Sequence, residues 1–489
     1  MKKIIIIGAG VSGLAAGCYA AMNGFDTEIF EMGSAPGGVC ASWRRGEYLF
    51  DHCLHWVLGS GKGNSMYPLF KELRITDSVE FYQSDRFRRI KCGGKDVTVY
   101  TDIDLLEKEL ISHFPQESKR LRKMTAKVRF YTRFRPPMDA DFGNFGFAGI
   151  LKMLPFMPSF LRLKSITVKK YIEQFRDPVL REVLFSMFPV PDMPALMVIM
   201  PLAYFHNHEG GYPMGGSLNF ARAIADNFIR LGGNIRYREK VNRIIVDGGR
   251  AAGVETKNGE KHYADIVISA CDARTVLYDM LEGKYMPRAW EEIFKKPCLW
   301  PPIVCVSLGV NRDLSGEAEL QTFKPDNPVE VCGQKLERIY YSHYCHDRAF
   351  APKGKSVIAM QFDTDYGYWK ALSGDKKAYE NEKRNVLNAL VAALETQLPG
   401  VGEQIEASDV ATPLTWERYT GNWMGSYEGW LPEVRLFGRT LPRELQGLSN
   451  FYLTGQWVFP GGGVPMCLSM ARRLIKQICV REGRDFSLK

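Results

Sequence analysis

The sequence predicts an α/β fold with a parallel sheet in its first domain, and three observations support this class. The chain opens with an apolar run at residues 4–7 that leads directly into a glycine loop and a helical pattern. A second succession of strand, glycine loop and helix lies near the other end, at residues 450–480. The composition, with 45% hydrophobic and 24% charged residues in 489, is typical of a globular protein of two or three domains.

The first element is a buried strand followed by a glycine loop of the form GxGxxGxxxG. Gly8 allows a tight turn, Gly10 lets a pyrophosphate approach the backbone, and Gly13 lets the helix pack closely on the strand. The helix begins near Ser12, so the positive end of its dipole is directed at the phosphates. This arrangement predicts a Rossmann-type dinucleotide-binding domain.

The second strand, TEIF, ends at Glu31, near the spacing of about 20 residues that a ribose-binding acid takes in this motif. A carboxylate there can accept hydrogen bonds from both ribose hydroxyls and would repel a 2′-phosphate, which disfavours NADP. A plain tight turn between strand and helix would explain the glycines but not Glu31. The adjoining Val11, Ser12 and Met32 are included in the predicted cofactor site.

A second glycine pair, Gly37–Gly38, follows in the segment EMGSAPGGVCASWRRGEYLFDHCLHW. This segment resembles the extended FAD motif of the glutathione-reductase-like flavoproteins, in the branch that holds amine oxidases and phytoene desaturases. In that family the paired glycines approach the pyrophosphate, and a later fD.G element marks the return toward the flavin ring. Asp51 matches this element, whereas Cys53 replaces its glycine. The resemblance implies that the dinucleotide is FAD.

The middle of the chain is predicted to contribute further residues to the cofactor site. Residues 210–259 contain a helical period, strand patterns at 234–237 and 241–246, and a hairpin turn, and a buried strand is predicted at 264–273. The pattern P.GG...l..al......GG.i.....V..I....g...GV is similar to that of desaturase-like flavoproteins. This resemblance implies that the backbone of Val241 contacts the adenine; alternatively, Val241 is only a strand residue. Ala270 joins the predicted site.

The second glycine loop is predicted to serve the other end of the same cofactor. Reduction of a flavin places negative charge near N1 and the C2 carbonyl, and a helix N-terminus aimed there would stabilise it. Strand 450–455 ends at Gly455, glycines 461–463 allow close approach, and Pro465 suits the first turn of a helix at 464–480.

The same stretch resembles the G....PGGG.PG...S end of phytoene desaturases, carotenoid isomerases and retinol saturases. Gln456 and Met466–Cys467 depart from that pattern. TGNWMGSYEGW, at 420–430, is similar to their GS.yG segment beside the flavin. His55, in LFDHCLHW, and Tyr427 lie in segments predicted to reach the flavin ring, which makes them candidate catalytic residues, although both would serve equally well as structural residues. The predicted cofactor residues in the second loop are Gly455, Gln456, Gly462, Gly463, Val464 and Pro465.

The rest of the chain is predicted to form a mixed α/β substrate domain and a helical subdomain. Strands at 301–310, 338–344 and 355–362 and a helix at 376–400 belong to the substrate domain. The predicted boundaries are 1–75, 206–275 and 415–489 for the FAD-binding domain, 76–105 and 276–414 for the substrate domain, and 106–205 for the helical subdomain.

Residues 118–135 carry eight basic residues and no acid, and the apolar stretch 142–163 follows. No nucleic-acid module accompanies them, so no nucleic-acid partner is expected. Two interpretations stay open: a solvated helix face beside a core segment, or docking on an anionic membrane surface. No apolar run of about 18 residues is present, so no spanning helix is expected.

The eleven cysteines contain no CxxC pair and predict reduced thiols in a cytoplasmic protein, with peripheral membrane attachment left open. The eight histidines are scattered and predict no metal site, and no GxSxG motif supports hydrolysis. The sequence makes no prediction about the oligomeric state.

Taken together, the motifs predict an FAD-dependent oxidoreductase similar to the phytoene desaturases. The resemblance implies desaturation, saturation or isomerisation of a C=C bond in a lipophilic, isoprenoid-like molecule. One alternative is an amine oxidase or porphyrinogen oxidase, although Val39 stands where the GGR arginine of those enzymes is expected. Another alternative is an FAD-stabilised binding protein without catalytic activity.

Overall fold

The computed structural model describes residues 1–135 and 151–488, so the predicted apolar stretch 142–163 is described only from residue 151 onward. The helices of the described residues are α1 Val11–Met22, α2 Tyr67–Glu72, α3 Ile103–His113, α4 Ser118–Tyr131, α5 Met157–Ser165, α6 Val168–Ile172, α7 Pro178–Met187, α8 Leu196–His206, α9 Gly216–Arg230, α10 Arg288–Lys295, α11 Tyr366–Leu372, α12 Lys376–Glu395, α13 Pro413–Thr420 and α14 Val464–Arg481. A π-helical segment spans Thr275–Met280.

The strands of the same residues are β1 Lys3–Ile7, β2 Asp26–Glu31, β3 Ser42–Arg45, β4 Tyr48–Asp51, β5 Val57–Leu58, β6 Phe81–Tyr82, β7 Arg86–Cys92, β8 Lys95–Tyr100, β9 Gly210–Pro213, β10 Asn234–Tyr237, β11 Val241–Asp247, β12 Arg250–Thr256, β13 Lys261–Tyr263, β14 Ile266–Ser269, β15 Ile303–Val310, β16 Leu320–Phe323, β17 Val329–Val331, β18 Gln334–Leu336, β19 Ile339–His343, β20 Ser356–Asp363, β21 Ile405–Ala411 and β22 Phe451–Leu453.

A five-stranded parallel sheet, in the order β10-β2-β1-β14-β22, joins the two ends of the chain. Successive side chains of β1 point to opposite faces, so each face has its own core. Ile4 and Ile6 pack with α1, α9 and α14 on one face. Ile5 and Ile7 pack on the other face beneath the small antiparallel sheet β11-β12-β13. The run of four isoleucines is therefore buried from both sides, and the predicted α/β class is confirmed.

A second, mixed sheet has seven strands in the order β21-β15-β20-β19-β16-β7-β8. Its pairs are antiparallel apart from β7 and β16, which run parallel. On β15, Val304, Val306 and Leu308 pack against α12, whereas Ile303 and Cys305 face the opposite side with Trp416 and Tyr427. One face of the sheet is therefore covered by a helix, and the other is turned toward the predicted cofactor segments.

The predicted strands of this region are found as β15, β19 and β20. The helix predicted at 376–400 is shorter and ends at Glu395. Beyond it the chain turns at Gly400, whose φ of +80° is unfavourable for a helix. The predicted strands at 264–273 and 450–455 are likewise shorter, because the chain leaves the sheet at Ser269 and Leu453 to form the two loops of the site.

Helices α3 to α8 pack around a core of their own. The basic helix α4 contributes Leu121, Met124 and Val128 to that core. Two of its arginines reach acids on α3, because Arg122 pairs with Glu107 and Arg129 with both Glu107 and Asp104. Part of the basic face is thus neutralised within the helical region.

Candidate cofactor and substrate site

A cavity of about 1380 Å³ lies between the five-stranded sheet, the seven-stranded sheet and the helical region. The first glycine loop and Glu31 line it at the first sheet, and the second glycine loop lines a further part of its wall. Apolar side chains from α5, α7 and α8 line the remaining part. Pockets for drug-sized ligands usually hold about 300–1,000 Å³, so this cavity has room for more than one such molecule.

The first glycine loop opens α1 toward the cavity. Gly8 has a φ of +98°, and Gly10 caps the helix without a side-chain hydrogen bond. A Cβ at Gly10 would meet no atom within 4 Å, so the backbone of this turn is open to a ligand. Gly37 donates from its N–H to the carbonyl of Ala9 at 2.8 Å, which fixes the second glycine pair beside the first loop. Phosphate fits such a turn because the first N–H groups of a helix lack partners within the helix.

Glu31 ends β2 at the cavity and is held by two backbone amides. Its carboxylate accepts hydrogen bonds from the N–H groups of Ala9 and Gly33, each at 2.7 Å. Burial raises the pKa of Glu31, and these two hydrogen bonds partly offset the rise. The carboxylate is therefore fixed in position beside the first glycine loop, as a ribose acceptor requires.

The second glycine loop opens α14 toward the same cavity. Gly461, Gly462 and Gly463 all have positive φ, and Gly463 caps the helix without a side-chain hydrogen bond. The two loops touch, because a Cβ at Gly455 would lie 3.3 Å from the Cβ of Ser12. The Ser12 and Thr454 hydroxyls are also 3.3 Å apart and share a hydrogen bond. The N-termini of α1 and α14 therefore open on one continuous space.

Gly13 differs from the other residues of the predicted cofactor set because it does not line the cavity. Its Cβ would lie 2.0 Å from the carbonyl oxygen of Gly8, so it provides the close packing that the motif predicts. The contacts of the remaining residues with a cofactor stay predictions of the sequence. Those that line the cavity are Gly8, Gly10, Val11, Ser12, Glu31, Met32, Gly37, Gly38, Val241, Ala270, Gly455, Gln456, Gly462, Gly463, Val464 and Pro465.

Both candidate catalytic residues line the cavity as neutral polar groups. Burial, together with the nearby Arg88 charge, lowers the pKa of His55 to about 4. Burial raises the pKa of Tyr427 well above its ordinary value, and the neighbouring Glu428 adds to the rise. The Tyr427 ring lies 5.8 Å from that of Trp300 between ring centroids, so the two form one aromatic wall. At neutral pH the imidazole and the phenol are therefore uncharged.

Two charged residues of the cavity wall, Glu428 and Arg88, were missed by the sequence reasoning. Burial raises the pKa of Glu428 to about 7. A Cβ at Gly463 would lie 3.5 Å from a carboxylate oxygen of Glu428, so this acid stands beside the N-terminus of α14. The sequence does hold an indication of Glu428, because this acid lies within GSYEGW, in the segment predicted to lie beside the flavin. Arg88 is a buried cation on β7, and its strand pattern gave no such signal.

Within residues 1–135 and 151–488, no group of three or more His, Cys, Asp or Glu side chains is placed to hold a metal ion. All eleven cysteines are free. Cys40 and Cys53, at the cavity, have their sulfur atoms 3.7 Å apart.

The donors of this site fit a dinucleotide that also carries an aromatic ring system. One helix N-terminus and the fixed acid suit a ribose and a pyrophosphate, and the second helix N-terminus suits a ring that gains negative charge. The site therefore defines a flavin-dependent oxidoreductase. The family model described as flavin containing amine oxidoreductase matches residues 11–474, and the chain belongs to that family. Its cofactor is FAD.

Known proteins similar to this chain include enzymes of polyene metabolism. Prolycopene isomerase 1 from an Oncidium hybrid cultivar is 25% identical, with 94% of this chain and 81% of that protein covered. A 4,4'-diapophytoene desaturase from Methylomonas sp is also 25% identical, with 98% and 95% covered. The fold is similar to that of an oxidoreductase from Methanosarcina mazei, at a TM-score of 0.63 and 15% identity, with 97% of this chain and 100% of that chain covered.

Glu31→Ala is expected to weaken FAD binding by about 10- to 100-fold, because it removes the fixed acceptor and leaves two buried amides without a partner. The binding constant is measured by titrating apoprotein with FAD and following the quenching of flavin fluorescence. Glu28→Gln is the matched control, since Glu28 lies on the same strand, pairs with Lys3 and Arg236, and does not line the cavity. Equal affinities for the two variants would contradict the role of Glu31.

Glu428 is expected to make a destabilising contribution to the apoprotein as pH rises from 5 to 8. Its folded-state pKa is near 7, above the ordinary 4.5, so the unfolded chain releases this proton first and this contribution lowers the free energy of unfolding as pH rises. Glu428→Gln should therefore remove about 1–3 kcal/mol of destabilisation between pH 5 and pH 8. Asp272 and Asp363, whose pKa values burial raises to about 6, act in the same direction, whereas His55, whose pKa burial lowers to about 4, acts in the opposite one.

Denaturant midpoints at pH 5 and pH 8 check this expectation. Glu403→Gln, which changes an exposed glutamate, serves as the control and should leave the pH dependence unchanged. A Glu428→Gln apoprotein with the slope of the unaltered protein would contradict the assignment.

Proposed function

We propose that the protein uses FAD to desaturate, saturate or isomerise C=C bonds of a lipophilic, polyene- or isoprenoid-like substrate. The observation that carries this proposal is the apolar chamber that continues from the second glycine loop. Its walls hold flexible methionines and aromatic rings, which suit a long apolar molecule. The side chains of the helical region that line it include Met153, Met157, Phe160, Phe185, Met187, Phe188, Leu196, Met197 and Met200.

The relatives support the same substrate class. Prolycopene isomerase and 4,4'-diapophytoene desaturase, by their names, act on polyenes, and each match covers most of this chain. A 1-hydroxycarotenoid 3,4-desaturase from Flavobacterium sp. (strain P99-3) is 24% identical over 96% of this chain and 98% of its own length. Isomerases and desaturases both occur among these relatives, so the class of substrate is better supported than the direction of reaction.

In this proposal the protein positions and shields the reacting groups. FAD, when bound, supplies the atom that accepts or returns a hydride. The N-terminus of α14 stabilises negative charge through N–H groups that lack partners within the helix. Trp300 and Tyr427 hold the substrate against one wall, and the buried sheet and helices exclude water. His55 and Tyr427, both neutral, can donate hydrogen bonds without placing a charge in the chamber.

The direct test incubates FAD-loaded protein with prolycopene and, separately, with phytoene in detergent. One arm uses reduced flavin without oxygen and the other uses a quinone as electron acceptor. Chromatography with mass analysis distinguishes isomerisation, which leaves the mass unchanged, from desaturation, which removes hydrogen. Conversion of either polyene supports the proposal. Failure with both, together with hydrogen peroxide release from amines under air, would establish an amine oxidase instead. A bound flavin that no substrate reduces or reoxidises would indicate a binding protein.

We further propose that the helical region docks on an anionic membrane surface, at the cytoplasmic face, beside the entrance for the substrate. Leu151, Leu154 and Leu161 are more than half exposed, at 56%, 53% and 56%. They alternate along the chain with Met153, Met157 and Phe160, which line the cavity. Exposed leucines close to cations such as Lys152 and Arg162 suit an interface that accepts both acyl chains and anionic headgroups. In the described part of the chain, no helix has the length and apolar character to cross a bilayer.

Replacing Leu151, Leu154 and Leu161 together by glutamine is expected to reduce binding to vesicles of mixed neutral and anionic lipids by about 10-fold or more. The three leucines provide apolar surface that would enter the membrane, and each Å² of apolar surface removed from water contributes about 25 cal/mol to the binding free energy. The glutamines would lose this contribution. Sedimentation of protein with vesicles measures the effect. Ile229→Gln is the matched control, since Ile229 is 54% exposed on α9. No sedimentation of the unaltered protein, or equal sedimentation of both variants, would contradict the docking surface.

A further inference from the structure

Arg88 is a buried cation in the wall of the cavity, and this inference rests on the proposed function. The residue lies on β7 with 8% of its surface exposed. Its Nη1 donates to the Thr322 hydroxyl on β16 at 2.9 Å. The guanidinium also lies 5.6 Å from the centroid of the Phe87 ring and 5.5 Å from that of Tyr340 on β19. One hydroxyl and two aromatic rings are therefore its neighbours in the fold.

Within residues 1–135 and 151–488, no carboxylate oxygen lies within 4.0 Å of a guanidinium nitrogen of Arg88, so this arginine has no ion pair there. The neighbouring Arg89 illustrates the usual arrangement, since it pairs with Asp96 and Glu317. Nε of Arg88 is buried and has no hydrogen-bond partner in the described part of the chain. Burial lowers the pKa of Arg88 to about 10, so the side chain is charged at neutral pH. A buried charge without a counterion is costly, so an anionic ligand at this position would be stabilised.

The free edge of the guanidinium has the geometry for a carboxylate. Nη1 is occupied by Thr322, whereas Nε and Nη2 donate to no described residue. Two parallel N–H groups on one edge of a guanidinium bind the two oxygens of a carboxylate. Aromatic rings on its faces hold the plane in place without competing for these hydrogens.

The position of Arg88 matches one end of an extended ligand. Its guanidinium contacts β16 and β19, and β19 is separated from β15 by β20 alone. At about 4.8 Å per strand, β19 and β16 lie roughly 10 to 15 Å from β15, where Ile303 lines the cavity and faces the Tyr427 side. An apolar chain could therefore reach the Tyr427 wall while its end group is held at Arg88.

We propose that Arg88 binds a carboxylate at one end of the substrate, so that unsaturated isoprenoid acids are preferred over hydrocarbons of the same length. Arg88 then selects the substrate and sets how deeply its chain enters the cavity. It acts as a binding and positioning residue, and the double bonds lie against the Trp300 and Tyr427 wall.

The test compares all-trans-retinoic acid with its methyl ester as probes of the FAD-loaded protein at pH 8. Binding is measured by ultrafiltration and chromatographic determination of the free probe. The unaltered protein is expected to bind the acid about 10-fold or more tightly than the ester, because the ester lacks the anionic partner of a buried cation. Arg88→Met should abolish this preference while leaving ester affinity and FAD content unchanged.

Two further variants keep the proposal falsifiable. Arg88→Lys retains the cation without the two-pronged edge and should keep only part of the preference. Arg89→Met, on the same strand, should keep all of it. Equal binding of acid and ester by the unaltered protein, or an unchanged preference in Arg88→Met, would overturn the assignment of Arg88 while leaving the polyene substrate class intact. Binding of neither probe by FAD-loaded protein would overturn the assignment of Arg88, whereas conversion of prolycopene or phytoene tests the polyene substrate class separately.

Discussion

The site depends on a close backbone contact between the two ends of the chain. Gly13 allows α1 to lie directly on the Gly8 turn, where a Cβ would come within 2.0 Å of a carbonyl oxygen. Gly455 then lets the strand end before the second loop lie against Ser12, and the Ser12 and Thr454 hydroxyls share a hydrogen bond across this contact. The first residues of both following helices line one cavity. A single extended cofactor can therefore use both dipoles.

Burial sets the charge state of several polar groups in the cavity wall. His55 and Tyr427 are kept neutral by burial, which suits a chamber for an apolar chain. The pKa of Glu428, beside the second helix N-terminus, is about 7, and Arg88 retains its charge with no acid partner among the residues that the structure describes. Both residues line the cavity, so its wall carries an acid beside α14 and a cation on β7. A ligand with an apolar body and one anionic end would be oriented by that difference.

Much of the fold near the cofactor could be predicted because the signals are local. The strand, loop and helix that begin the chain and those that end it follow from apolar runs, glycines and Pro465. The opposite cores on the two faces of β1 were not predicted, since only the packing of β11 to β13 reveals the second one. The importance of Arg88 and Glu428 also escaped the sequence, because burial next to residues far along the chain gives them their character. The helix that begins at Lys376 ends before the predicted residue 400 because the chain turns near Gly400. The apolar period of the sequence does not reveal this turn.

A crystal structure of the protein with FAD bound would show whether both helix N-termini serve one cofactor. We expect the adenosine ribose at Glu31, the pyrophosphate at the N-terminus of α1, and the ring system at Gly463 with its pyrimidine side toward α14. The distance to measure joins the flavin C2 carbonyl oxygen and the nearest backbone nitrogen in the first turn of α14. A hydrogen-bond distance near 3 Å agrees with the account. A ring system bound away from Gly463, with α14 facing only solvent or protein, would contradict it.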